Sequence, residues 1–391
     1  MDKIFVMHPE TFIFQDKEGF LLYHTENHTC AEYPHNIFTD RMFSHLSTLA
    51  SLYRFKVAEE ELSAYLDFIK DLVNQGFGTL HDNEEVAPFS YPPIIKLDYD
   101  FNRLQKMMES HEGGYILDFL HEVTFYLSGN PVRSPFSRQI LCPFKRGGRH
   151  LRAERCMQFL DKTRYSQVSR INLMIASAED VHTAKHLILT SRHPEKFHSY
   201  FFAKDWDPDT ILSYASDVPG TFLEIVCEVQ DLRTELSHIP HHIVVRNPRE
   251  LARARQTGGP AGGSIVPVLE SGDLSFFRDN VFIAREDLFT ESRRNIHIHQ
   301  ILNSHFFGKL SVFPDGTVRP GVGFMPLGTI DDSLFCLIGK EITEGSAWFL
   351  TRDRLGCRTC RYKYLCPSPS YYEILSGIKM CFKDTDSHIN L

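Results

Sequence analysis

Four of the nine cysteines in this 391-residue chain crowd toward its C-terminus, at Cys357, Cys360, Cys366 and Cys381, while Cys30, Cys142, Cys156, Cys227 and Cys336 are scattered. The first three follow a Cys-x2-Cys-x5-Cys pattern, and Cys381 closes the set from a distance. A CxxC turn aims two thiolates at one centre and the next loop supplies a third. Four thiolates suit a tetrahedral zinc ion or a four-iron cluster. A set drawn wholly from protein leaves no open position for substrate, so it would hold the fold or tune a redox potential. The step Cys366-Pro367 leans toward iron–sulfur, because Cys-Pro also closes some ferredoxin motifs. An odd cysteine count without a secretory leader argues against a disulfide framework, and the five scattered cysteines read as packing residues.

Other chemistry-bearing residues carry less. His182/His186 and His297/His299 are spaced for metal binding, but chance pairs are expected among 20 histidines and no third ligand is evident. Glu179-Asp180 and Asp331-Asp332 offer adjacent carboxylates with nothing to assemble an acid–base pair around them. Ser128-Gly129 lacks the strand–elbow–helix context of a nucleophile. Lys145, Arg146, Arg149, Arg152 and Arg155 read as a solvated basic face or a partner contact.

Elements must position these residues. The chain is 42% hydrophobic and 24% charged with a net charge of −8, an ordinary globular composition that does not favour a polyanion as main partner. At ~150 residues per domain it holds two or three domains. It has no apolar run long enough to span a membrane, and Met1-Asp2-Lys3-Ile4 does not open a secretory signal, so no membrane and a cytoplasmic location are expected. Residues 1–85 read as a small α+β unit. A hairpin brackets Gln15-Asp16-Lys17-Glu18-Gly19, helices run from about Asp40 and from about Ala58 to Gln75, and Phe77-Gly78-Thr79-Leu80 forms a wing strand. Glu59-Glu60-Glu61 would open the second helix at the positive end of its dipole. Residues 95–300 repeat a βα rhythm, with strands at 123–127, 171–175, 199–202, 222–226, 242–245 and 265–268. That spacing implies parallel βαβ units in a partial barrel or a doubly wound sheet. From 301 to 391 the texture changes to a hairpin around Pro314-Asp315-Gly316 and then the cysteine cluster.

The segment Asn303-Ser304-His305-Phe306-Phe307-Gly308-Lys309-Leu310, that hairpin, Leu327-Gly328-Thr329-Ile330, and the cysteine pattern running on through Pro367-Ser368-Pro369-Ser370-Tyr371-Tyr372-Glu373 resemble a SPASM domain. With Glu122-Val123-Thr124-Phe125-Tyr126 and residues 274–282, the chain resembles the pseudo-radical-SAM/SPASM proteins of ribosomal-peptide (RiPP) maturation systems in Bacteroidetes. The resemblance implies one auxiliary [4Fe-4S] cluster on Cys357, Cys360, Cys366 and Cys381, with zinc as the alternative. A further cluster would need cysteines near Phe306 and Gly321 and at Ser370, and is expected to be absent. Active radical-SAM enzymes carry a Cx3Cx2C loop after the first strand and Gly-Gly-Glu after the second. Here the first strand is followed by Ser128-Gly129-Asn130-Pro131-Val132-Arg133-Ser134-Pro135-Phe136-Ser137, and the second by Ala176-Ser177-Ala178-Glu179-Asp180. Without three thiolates, neither cluster ligation nor reductive cleavage of S-adenosylmethionine has a physical basis, so no SAM and no catalysis are expected.

The N-terminal unit resembles a winged helix-turn-helix and, in this setting, a RiPP recognition element. Such domains bind a leader peptide as a strand added beside their third strand, against a helix. Here those positions are Thr29, Cys30, Ala31, Glu32 and Tyr33, with Leu62, Tyr65, Leu66 and Ile69 on the helix; part of that stripe is core. DNA binding is disfavoured, because the helix opens with three glutamates and carries one lysine. The expected fold class is α/β: a degenerate radical-SAM-like (β/α) partial barrel with an N-terminal winged-helix recognition domain and a C-terminal SPASM domain. The expected function is that of a pseudoenzyme. It binds a precursor leader and pairs as a heterodimer with an active radical-SAM peptide maturase. The alternatives are an iron–sulfur electron-transfer protein serving such an enzyme, or a zinc-stabilised scaffold.

Overall fold

The computed structural model describes residues 2–82, 87–88, 90–93, 106, 114–130, 145–257, 263–268, 274–344, 347–377 and 379–383. The stretch from Pro131 to Ser137, Cys142 and the glycines at 258–262 lie outside the described residues. The N-terminal part holds β1 (Lys3–Met7), β2 (Thr11–Asp16), β3 (Gly19–His24), β4 (Cys30–Pro34), α1 (Ile37–Leu46), β5 (Arg54–Val57), α2 (Leu62–Asn74) and β6 (Gly78–His81). The strands form two antiparallel sheets, ordered β5-β1-β6 and β2-β3-β4. Asn36 starts α1 three residues earlier than the periodicity predicts, through a capping box with Thr39. The start of α2 shifts the other way. Phe55 and Val57 alternate with polar residues and extend as β5, so Glu59-Glu60-Glu61 form the turn before the helix instead of its first turn. Met42, Phe43, Leu46, Tyr65, Ile69 and Leu72 close the core against Phe5, Phe20, Leu22 and Phe55.

The rest of the chain follows as β7 (Glu122–Tyr126), β8 (Ser128–Asn130), β9 (Lys145–His150), α3 (Ala153–Lys162), β10 (Arg170–Ile175), α4 (Ala178–Thr190), β11 (Phe197–Phe202), α5 (Pro208–Asp217), β12 (Phe222–Glu228), β13 (His241–Val245), α6 (Pro248–Gln256) and β14 (Ser264–Pro267). After these come α7 (Leu274–Val281), α8 (Arg293–Ile301), β15 (Lys309–Val312), β16 (Thr317–Arg319), β17 (Gly328–Thr329), α9 (Leu334–Glu344) and α10 (Tyr371–Ser376). Nine strands make one sheet in the order β14-β13-β12-β11-β10-β7-β15-β16-β17. All six strands expected from the βα rhythm are present and mutually parallel. Each adds on the same side of the last, so the sheet is wound in one direction, as in a partial barrel, and is not doubly wound. On the other flank of β7, β15 joins in parallel, so residues beyond 301 share this sheet.

Strand alternation divides the two faces. Val123, Phe125, Leu173, Ile175, Phe201, Ile225 and Val245 pack under the helices, while Tyr126, Met174, Tyr200, Val226 and Val244 cluster on the opposite face. The N-terminal half of that second face is polar and centres on Glu224. His198 Nδ1 lies 3.2 Å from its carboxylate, His242 Nε2 2.6 Å, the Tyr200 hydroxyl 3.0 Å and Arg170 Nη2 3.2 Å. Burial opposes ionisation there, but the hydrogen bonds from His198, His242 and Tyr200 outweigh it and hold the carboxyl below its ordinary value of 4.5. A carboxylate depressed in this way stabilises the fold above its unfolded pKa, and that stability is lost as pH falls. Glu224→Gln is expected to cost about 1–3 kcal/mol at neutral pH. It is also expected to flatten the loss of stability below about pH 4.5 relative to the parent chain. Urea unfolding across that range checks it, and parallel pH profiles for the two chains would refute the assignment.

Candidate functional site

The four C-terminal cysteines are free thiols, with Cys357 buried and Cys360, Cys366 and Cys381 half-buried. A tight turn joins the first three. The Cys360 N–H donates to the Cys357 carbonyl at 2.9 Å, and the Tyr362 carbonyl accepts from Leu365 and Cys366, both at 2.9 Å. Burial pushes the Cys366 thiol up to about 12 and raises Cys357 and Cys360 as well. Cys366 lies within electrostatic reach of the other three cysteines, and the charge of Arg352 draws its pKa back down.

Arg352 is itself buried. Its guanidinium grips Glu373 through two bonds of 2.5 and 2.9 Å, and its Nε donates to the Pro367 carbonyl at 2.8 Å. Ser370 caps α10 and sets Glu373 at its third position. Four thiols beside a fixed cation fit a soft, thiolate-bound group that carries negative charge. Among the described residues, no three His, Cys, Asp or Glu side chains are grouped to hold a single metal ion.

The second feature is β4. Among the described residues it pairs only with β3, which leaves its other edge without a strand. The His24 N–H donates to the Thr29 carbonyl at 2.9 Å, which fixes the ladder's phase. Ala31 and Tyr33 therefore bond inward to Leu22 and Phe20, while the backbone groups of Cys30 and Glu32 point outward. Pro34 has no N–H and ends the usable edge.

Side chains alternate the other way. Ala31 and Tyr33 turn toward α1 and α2, whereas Cys30 turns toward the cysteine segment. Thr29 precedes the strand. On α2, Tyr65 and Ile69 are fully in the core, and Leu62 and Leu66 are half-buried. The helix residues nearest β4 are Phe68, whose ring meets Tyr33 at 5.2 Å, and Asp71, which accepts from the Tyr33 hydroxyl at 3.0 Å. The sequence reading missed both. Their signal is a helical stripe at Phe68 and Asp71, displaced from the one chosen.

The third feature lies at the C-terminal ends of β7 and β10. Sequence reasoning finds nothing assembled around Glu179-Asp180, but the fold brings Ser128 and His150 there. Asp180 is fully buried. One of its oxygens accepts from the Ser128 hydroxyl at 2.5 Å and from the Ala176 and Ser177 N–H groups at 2.9 Å. His150 Nδ1 stands 3.1 Å from the other oxygen, and its Nε2 is 3.3 Å from Glu179. Burial raises the Asp180 pKa against these contacts. Both serine and histidine address the carboxylate and not each other.

Three residues among the remaining sequence signals make packing or pairing contacts. His299 Nδ1 is 3.0 Å from the Tyr364 carbonyl, His297 packs 5.8 Å from the Phe12 ring, and Arg155 pairs with Asp331 at 2.6 Å. No helix among the described residues is long and apolar enough to cross a membrane.

No family model and no curated protein matches the chain. Among solved structures it is similar to Streptococcus suis SuiB bound to the precursor peptide SuiA, at 11% identity and a TM-score of 0.39, over 97% of this chain and 99% of that one. SuiB bound to S-adenosylmethionine aligns at 12% identity and a TM-score of 0.34, over 92% of this chain and 94% of that one. Phosphoribosyl anthranilate isomerase from Thermotoga maritima aligns at 13% identity and 0.26, over 58% of this chain and 99% of that one. Identities and scores this low assign neither ligand nor activity.

The Arg352–Glu373 pair yields a direct test. Arg352→Met leaves a buried carboxylate without its cation and is expected to cost about 3–5 kcal/mol in urea unfolding. Adding Glu373→Leu is expected to recover part of that loss. A single-variant cost below about 1 kcal/mol would mean that the pair does not hold the segment together.

Proposed function

We propose that the chain is a non-catalytic partner in ribosomal-peptide maturation. It captures a precursor's leader peptide on the β4 edge, carries a [4Fe-4S] cluster on Cys357, Cys360, Cys366 and Cys381, and pairs with an active radical-SAM maturase. The outward backbone groups of Cys30 and Glu32 carry this reading. They lie on the strand whose Tyr33 packs on Phe68 and bonds Asp71 of α2, and an extended peptide added there would gain main-chain bonds of about 0.5–1.5 kcal/mol net each. Zinc is the alternative occupant of the thiols. In either case their protons leave as the group binds, and the Arg352 charge favours the thiolates.

The absence of catalysis rests on the sequence and on local contacts. No Cx3Cx2C occurs anywhere in the chain. Where a Gly-Gly-Glu would stand after the second strand, Ser177 and Asp180 instead satisfy the start of α4 and the Ser128 hydroxyl. The nine-stranded sheet and its helices would offer a large surface to a catalytic partner.

Deleting residues 1–85 is a poor test, because it would uncover Tyr362, Tyr364 and Leu365, which pack on Phe12, Phe14 and Tyr23. Cys30→Pro removes one outward N–H and leaves the bonds to β3 in place. Fluorescence anisotropy with labelled precursor leader peptides is expected to show binding by the parent chain. The variant is expected to bind at least about tenfold more weakly, at a melting temperature within a few degrees of the parent. A variant that binds as well as the parent would place the peptide elsewhere.

A further inference from the structure

The β4 edge and the four-cysteine segment are in direct contact. Glu32 projects from β4 on the face opposite α2 and accepts from Arg285, from Arg361 and, at 2.5 Å, from the Tyr362 hydroxyl. Arg361 and Tyr362 are the two residues after Cys360, inside the turn that ends at Cys366. Arg361 is almost wholly enclosed, with 8% of its side chain exposed, and it also faces Asp16 at 3.6 Å and Glu18 at 3.7 Å on the β2–β3 hairpin. The fourth cysteine is tied to the same surface. Phe382 packs on the Tyr362 ring at 5.2 Å, and Lys383 reaches Glu18 at 2.8 Å and Asp16 at 3.4 Å. The residues flanking Cys360 and Cys381 thus grip β2, the β2–β3 turn and β4.

Resting on the reading above, we propose that occupancy of the four cysteines sets the order of β4, and so its readiness to accept a peptide strand, with Arg361–Glu32 as the link. A group bound by all four thiols would fix the Cys360–Cys366 turn and the Cys381 segment together. Arg361, Tyr362 and Lys383 would then be held where they meet Glu32, Asp16 and Glu18. Without that group the turn keeps its backbone bonds, its contacts with His299 and Asp353 and the Arg352–Glu373 pair, but loses its tie to Cys381, and the grip on β4 loosens. Coupling of this kind is reciprocal, so a peptide on β4 would in turn steady the cysteine turn.

Hydrogen exchange on the full chain tests this without knowledge of the peptide. The probes are ferrous iron with sulfide under anaerobic conditions and, separately, zinc. Loading is expected to slow exchange both in residues 357–383 and in residues 29–34, the latter by about tenfold. Arg361→Ala is expected to keep the slowing in 357–383 and lose it in 29–34. Glu32→Gln serves as the second variant, with the same expectation, should Arg361→Ala fold poorly. Loading that slows 357–383 but leaves 29–34 unchanged in the parent overturns the coupling and spares the assignment of the cysteines. A chain that takes up neither iron nor zinc overturns the coupling and the cysteine assignment together, while peptide capture is still decided by direct binding.

Discussion

The sheet of β2, β3 and β4 is covered on both faces, and much of the molecule depends on that. One face carries Phe20, Leu22, Ala31 and Tyr33 into the core under α1 and α2; the other carries Phe12, Phe14, Leu21 and Tyr23 against Tyr362, Tyr364 and Leu365. Apolar burial of this kind is non-directional and would allow sliding, so register falls to polar contacts. Glu32 with Arg361 and Arg285, Glu10 with Arg293 at 2.7 Å, and the Tyr23 hydroxyl on the Glu291 carbonyl at 2.7 Å supply them. For Glu32, burial works against the charge, but hydrogen bonds from Tyr362 and Arg285 and the field of Arg361 outweigh it and keep the carboxylate ionised below its ordinary range. The N-terminal unit is therefore not a bead on a tether. It is docked on the cysteine segment, and among the described residues no strand covers the outer edge of β4.

The large sheet owes its shape to its strands and not to the loops that join them. Its parallel strands are buried by side-chain alternation that does not depend on the loops at their C-terminal ends. At the first two strand ends the Ser128 hydroxyl and the Ala176 and Ser177 N–H groups meet one Asp180 oxygen, and His150 stands 3.1 Å from the other. The Arg352–Glu373 pair lies beside the cysteines, and the Arg352 charge lowers the pKa of Cys366 against its burial.

Much of this was legible in the sequence. The six parallel strands follow from apolar runs at regular spacing, and both N-terminal helices follow from their stripes. The strands β1 and β5 were missed although Ile4-Phe5-Val6 and the alternation of Phe55 and Val57 announce them. The continuous run Phe20-Leu21-Leu22-Tyr23 also announced burial on both faces, since a half-exposed hairpin would alternate. Contacts between distant segments were not legible. Arg361 and Glu32 lie 329 positions apart, and Ser128 and Asp180 lie 52 apart. Nothing local in either pair names its partner, because register and helix rotation decide which charges meet. The helix stripe beside β4 failed for the same reason: periodicity identified the core-facing residues, while Phe68 and Asp71 are defined by where the strand lies.

The claim that the chain holds molecules without transforming them is tested most directly by anaerobic turnover. The iron–sulfide-loaded chain is incubated alone with S-adenosylmethionine and dithionite, and 5′-deoxyadenosine and methionine are quantified by mass spectrometry. The account expects neither product above the protein-free control. Stoichiometric or catalytic formation of 5′-deoxyadenosine by the isolated chain would contradict it.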